Sequence, residues 1–182
     1  MLRAIGLTLA LVAAGCASTK PSVRAADARP SRQEQVAALF DAASHRDKIR
    51  LKLLVDWSRY RLAWAWSRAA ADHAEATTGL SQIEADPSPS EAWIDMAEGE
   101  LQARLAQVAS GPQPPHEEAG VANAKLAELK GGPPQTKYPA LPRLWELAAE
   151  ALSGVDEVTY AGAGRVTLLF AGDRLAGVLD AR

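Results

Sequence analysis

Val155–Leu179 reads VDEVTYAGAGRVTLLFAGDRLAGVL, and its texture differs from everything before it. Val158-Thr159-Tyr160 and Val166-Thr167-Leu168-Leu169-Phe170 are β-branched, aromatic and aliphatic runs on either side of Ala161-Gly162-Ala163-Gly164. Ala171-Gly172-Asp173 is a second turn, and Leu175–Leu179 a third apolar run. Runs of this length and composition, punctuated by glycine, predict a three-stranded antiparallel meander. Three strands persist in water only when a face is covered. The predicted helix just before them, Pro142–Ser153, is the nearest cover: Leu144, Leu147, Ala148, Ala151 and Leu152 are its apolar positions, and Gly154 follows as a cap.

Upstream, the pattern is helical. Pro133–Pro142 is an extended connector, preceded by a predicted helix over His116–Lys130 with Ala119, Ala122, Leu126 and Leu129 inward and Gly131-Gly132 closing it. Ser88-Pro89-Ser90-Glu91 has the form of a capping box with proline at the first helical position, after a loop over Asp86–Ser90. The stripe that follows is Trp93, Ala97, Leu101, Leu105 and Val108, and Gly111-Pro112 ends it. Another capping box, Ser31-Arg32-Gln33-Glu34, opens the first helical stretch, with Val36, Leu39, Phe40 and Ala43 behind it. Ile49, Leu53, Trp57, Tyr60 and Trp64 then share one face if the helix is continuous. No Pro or Gly interrupts Ser31–Thr78, so one long helix or two collinear ones are expected, stopping at Thr77-Thr78-Gly79. The fold class is therefore mainly α with a small C-terminal α+β lobe. An antiparallel helical region spans 31–132, and a short helix plus a three-stranded β-meander spans 133–182.

The net charge of −2 conceals an asymmetry. Ala17–Arg68 carries eleven Lys/Arg against five Asp/Glu, whereas Ala69–Arg182 carries eight against seventeen. Either the two parts attract each other within the fold, or the basic part rests on an anionic surface. A pI near 5.9 argues against nucleic acid as the main partner.

Motifs that carry chemistry are sparse. His45, His73 and His116 each lack a second histidine one helical turn away, so no zinc site is expected. Asp72, His73 and Glu75 could converge on a metal only weakly, and a solvated helix face explains them better. No Gly-x-Ser-x-Gly elbow, phosphate loop or dinucleotide fingerprint occurs, and no catalytic residue and no cofactor is assigned. Tryptophan is the unusual feature: Trp57, Trp64 and Trp66 fall within ten residues, with Tyr60 between them and Arg59, Arg61 and Arg68 interleaved. Helical spacing puts Trp57, Tyr60 and Trp64 on one face and Trp66 on another. Core packing, a partner-binding face and an aromatic–basic surface for glycan or lipid headgroups all suit this composition. Trp57, Tyr60, Trp64 and Trp66 are the candidate partner-binding residues.

Met1–Lys20 reads MLRAIGLTLALVAAGCASTK. Arg3 precedes an uncharged run from Ala4 to Ala14, eleven residues where a membrane span needs about 20. Charge order and length match a secretory signal. The run exits through Ala13-Ala14-Gly15-Cys16, which resembles the lipobox of bacterial lipoproteins. That resemblance implies a signal peptide over 1–15 cleaved after Gly15 and lipid on Cys16; the stretch that follows, 16–30, is polar with two prolines and no apolar periodicity, and reads as a flexible tether. Cys16 is the only cysteine in the chain. Ala17 in place of Asp implies sorting to the outer membrane, with inner-membrane anchoring the other possibility. The helix-plus-strands pattern at the C-terminus is also similar to small accessory lipoproteins of outer-membrane assembly or secretion machines. The expectation is a periplasm-facing lipoprotein, held to the membrane through Cys16, that binds or scaffolds an envelope protein or the cell wall. The alternatives are an envelope enzyme acting on cell-wall or lipid substrates, with its site between the helical region and the C-terminal lobe, and a passive spacer.

Overall fold

A computed structural model describes residues 29–69, 73–121 and 123–180; Gly15, Cys16, Asp72 and Ala122 lie outside the described residues. Among the described residues the helices are α1 Arg32–Ser44, α2 Lys48–Leu54, α3 Trp57–Ala69, α4 His73–Ala85, α5 Glu91–Ala109, α6 Ala124–Lys130 and α7 Ala140–Ala151. The strands among the described residues, β1 His116–Glu117, β2 Asp156–Ala161, β3 Arg165–Ala171 and β4 Arg174–Asp180, form one antiparallel sheet in the order β1-β2-β3-β4. The protein is mainly α with a C-terminal antiparallel meander, as its sequence predicts, and a short fourth strand is added at the edge.

The meander is buried on both faces rather than one. Val166, Leu168, Phe170, Leu175 and Val178 pack against Val36 and Leu39 of α1, Leu51 of α2, and Leu101, Leu105 and Val108 of α5. Leu169, Ala176 and Leu179 pack instead with Ala63, Trp66 and Ala69 of α3, Leu126 and Leu129 of α6, and Leu144 and Ala148 of α7. This explains why β3 reads as an unbroken apolar run: a strand covered on both sides has no solvent face to mark with polar residues. Helix α7 covers only part of one face, which α3 and α6 complete, and α1, α2 and α5 cover the other.

The first helical stretch is not continuous. The Ser31 capping box forms as predicted, with Ser31 Oγ accepting from Glu34 N and the Glu34 carboxylate accepting from Ser31 N. Those bonds hold the Glu34 carboxyl below its ordinary range. Helix α1 then ends at a turn where Arg46 takes φ 55°. A second break lies at Val55, which is extended (φ −112°, ψ 137°) and forms a parallel bridge with Leu175 at the β4 edge. Asp56 N donates to Leu175 O at 2.9 Å, and the Asp56 side chain caps α3 through Arg59 N. The open sheet edge captures these two residues, and that pairing outweighs local helix preference. Farther on, α4 continues through the predicted stop at Gly79 to Ala85. A single glycine costs about 1 kcal/mol in a helix, and the burial of Leu80 and Ile83 beyond it offsets that.

Two helix starts are also displaced. Helix α5 is capped by Ser90, not Ser88: Ser90 Oγ accepts from Trp93 N, while buried Arg61 takes the carbonyls of Asp86 and Ser88 and holds them out of the helix. The helix predicted over His116–Lys130 survives only as α6. His116 and Glu117 pair with Ala161 and Tyr160 as β1, Gly120 turns the chain at φ 77°, and Asn123 caps α6. Buried Asn123 also donates to Thr167 Oγ1 (3.2 Å) and Asp180 O (3.0 Å), and Thr167 meets Thr159 at 3.0 Å. This polar set is satisfied internally and ties α6 to the sheet.

Two glycines let helix and sheet come close. A Cβ on Gly177 would lie 2.6 Å from Cβ of Ala63, and one on Gly162 would lie 2.1 Å from the Val108 carbonyl. Gly177→Ala is expected to cost about 1–3 kcal/mol by overpacking, measured by chemical denaturation. Added to it, Ala63→Gly should cost less than Ala63→Gly in the wild type, because the methyl it removes is the one in collision.

Candidate functional site

The spacing of α3 decides which aromatic side chains meet. Trp57, Tyr60 and Trp64 lie three or four residues apart and share a helix face, and there they join Trp93 of α5. Ring centroids are 5.4 Å apart for Trp57–Tyr60, 6.5 Å for Tyr60–Trp93 and 5.8 Å for Trp64–Trp93, each pair edge-to-face. Trp57 Nε1 donates to Lys52 O at 3.1 Å and Trp64 Nε1 to the Glu100 carboxylate at 3.0 Å. The Arg68 guanidinium lies 4.3 Å from the Trp64 ring and bonds Glu100 at 3.2 Å. Trp66, on the other face, is 5% exposed, donates to Lys125 O at 3.3 Å, and belongs to the core beneath α6 and α7. Three of the four candidate binding residues are therefore brought together, and Trp66 is not among them.

Beside this cluster a cavity of about 290 Å³ opens where α3, α5 and the end of β4 meet. Tyr60, Trp64, Ser67 and Arg68 line it from α3, Glu100 and Arg104 from α5, and Asp180 from β4. Arg68 pairs with Glu100, and Arg104 with Asp180. Tyr60 is 3% exposed overall and lines this cavity. Burial pushes the pKa of its phenol well above the ordinary value and keeps it neutral. Glu100, Arg104 and Asp180 carry no local signal in the sequence, because each becomes part of a site only through packing.

A second cavity, about 310 Å³, lies between α3 and α4 and shares Trp64 and Arg68 with the first; Glu75 and Gln82 line its other side. Among the described residues no three of His, Cys, Asp and Glu group as metal ligands. His45 sits at the end of α1 against Asp41, and His116 on the exposed strand β1. Among the described residues no helix is long and apolar enough to cross a membrane.

Helix α2 is held to α5 by charge. Lys52 pairs with Asp95, and Lys48 lies 3.6 Å from Glu98, whose buried carboxylate meets no hydrogen-bond donor among the described residues. Because α2 and α3 are separate helices, Ile49 and Leu53 turn outward, at 77% and 69% exposure, instead of continuing the Trp57–Trp64 stripe.

Comparison with known proteins gives no matching family model, no matching curated protein and no matching solved structure.

Trp66→Ala is expected to cost about 3–5 kcal/mol, as for a large core aromatic, whereas Ile49→Ser should stay within about 0.5 kcal/mol of wild type; urea unfolding followed by circular dichroism measures both. Glu98→Met, which replaces a buried charge lacking hydrogen bonds with an apolar chain of similar length, should raise stability by about 1 kcal/mol. A lower melting temperature for that variant would mean that Lys48 compensates the carboxylate fully.

Proposed function

We propose that the protein is a bacterial lipoprotein, held to the outer membrane through lipid on Cys16 and facing the periplasm, that binds or scaffolds another component of the envelope. The observation that carries this reading is the sequence Ala13-Ala14-Gly15-Cys16 at the exit of a short apolar run led by Arg3, in a chain with no other cysteine. A thiol is the side chain that forms a stable thioether near neutral pH, and several acyl chains at about 0.8 kcal/mol per buried methylene hold a protein firmly to a bilayer. On the folded part, Ile49 and Leu53 on a short basic helix are the kind of exposed aliphatic pair that a contact surface uses.

A second reading, an envelope enzyme acting on cell-wall or lipid substrates, has one observation in its favour: the cavity beside Tyr60 and Asp180 lies between the N-terminal helices and the sheet.

Intact mass and membrane fractionation of the wild type beside Cys16→Ser test the anchor. Expected are a lipid mass on a chain beginning at Cys16, recovery of the wild type with membranes, and release of the variant. A wild type that is soluble and carries no lipid would remove the anchor, and with it the envelope assignment.

A further inference from the structure

The cavity between α3, α5 and β4 has a chemistry of its own. It holds two guanidinium groups, Arg68 and Arg104, and two carboxylates, Glu100 and Asp180, each cation already paired with one acid. An anion or a cation entering it would disturb an ion pair while adding an uncompensated charge. An uncharged ligand bearing several hydroxyl groups avoids that difficulty. Its hydroxyls donate to the outward lone pairs of the carboxylates and accept from the guanidinium N–H groups, which have more donors than one partner uses.

Two further features point the same way. Tyr60 lines the cavity, and its hydroxyl can supply a donor and an acceptor beside the ion pairs. The indole of Trp64 lines the same space and offers apolar surface beside the polar groups, an arrangement that suits a ring with C–H and O–H groups. At about 290 Å³ the cavity lies just below the range for drug-sized ligands, roughly 300–1,000 Å³, which suits one ring-sized unit. Its rim is open, because Glu100 and Asp180 side chains are 43% and 67% exposed, and the unit can therefore belong to a longer chain that continues outside.

We propose that this cavity binds a single uncharged sugar residue, such as the end of a glycan chain, with Tyr60, Glu100 and Arg104 as its hydrogen-bonding contacts. The site stands on the geometry of the folded part and is independent of the lipid anchor, so either can fail without the other. If the envelope assignment also holds, the glycan belongs to the cell wall or surface and is the scaffolded partner.

Isothermal titration calorimetry of the full chain tests this with three probes: the trisaccharide of β-1,4-linked N-acetylglucosamine, glucose, and sodium sulfate as an anion control. Expected is saturable binding of at least one neutral sugar and none of sulfate. Tyr60→Phe keeps the ring and its packing and removes only the hydroxyl; it should weaken sugar binding about tenfold, one hydrogen bond's worth, with the melting temperature unchanged. Glu100→Gln reports on the second contact and should also weaken binding. Saturable sulfate binding tighter than that of either sugar would identify an anion site and overturn the proposal. So would the absence of binding by both sugars, or sugar binding that Tyr60→Phe and Glu100→Gln leave unchanged.

Discussion

Ala63 and Gly177 set the spacing between helix α3 and strand β4, and most of the molecule is arranged around that spacing. With no side chain at residue 177 and only a methyl at 63, the helix can lie where a larger residue at either position would collide. At this distance α3 reaches past the sheet edge and contributes to both layers: Tyr60 joins the core shared by α1 and α5, while Ala63, Ala65, Trp66 and Ala69 join the one shared with α6 and α7. The same placement brings Trp64 and Arg68 against Glu100, and it brings Tyr60 toward Arg104 and Asp180. A shift of the helix outward would loosen both cores and open the polar cavity in one movement.

The charge asymmetry along the chain is partly resolved by packing. Lys48, Lys52 and Arg68, from the basic N-terminal part, meet Glu98, Asp95 and Glu100 of α5, and Arg32 meets Asp156 at the start of β2. Pairs of this kind near a surface add little stability each, but they set which helix lies next to which. The Glu98 carboxylate is the exception in position, since it is buried and its cation is not.

Much of the architecture can be read from local sequence because it is locally determined. The Ser31 box, the α5 stripe from Ala97 to Val108 and the turns at Ala161–Gly164 and Ala171–Asp173 each follow from residues within one or two turns of chain. The misread places have distant causes. Val55 and Asp56 look helical until Leu175 offers them a strand edge, and His116-Glu117 looks helical until Tyr160 and Ala161 do the same. Ser88 looks like a cap until Arg61 takes its carbonyl. The candidate site divides along the same line. Trp57, Tyr60 and Trp64 are legible as one face from their spacing alone, whereas Trp93, Glu100, Arg104 and Asp180 come from two other elements, and no periodicity links them to α3.

The bridge between Val55 and Leu175 spans 120 positions of sequence. A contact of that separation forms only after a large loop has closed, and loops of this kind slow folding more than they weaken the folded state. Helix α3 and the α2–α3 corner find their seat on β4, the last strand of the sheet, so they cannot settle as the chain is first made. During synthesis the apolar faces of α1 and α3 wait uncovered, and the interval before β4 arrives is the period in which the chain is open to misassembly, and to any chaperone that recognises uncovered apolar helices.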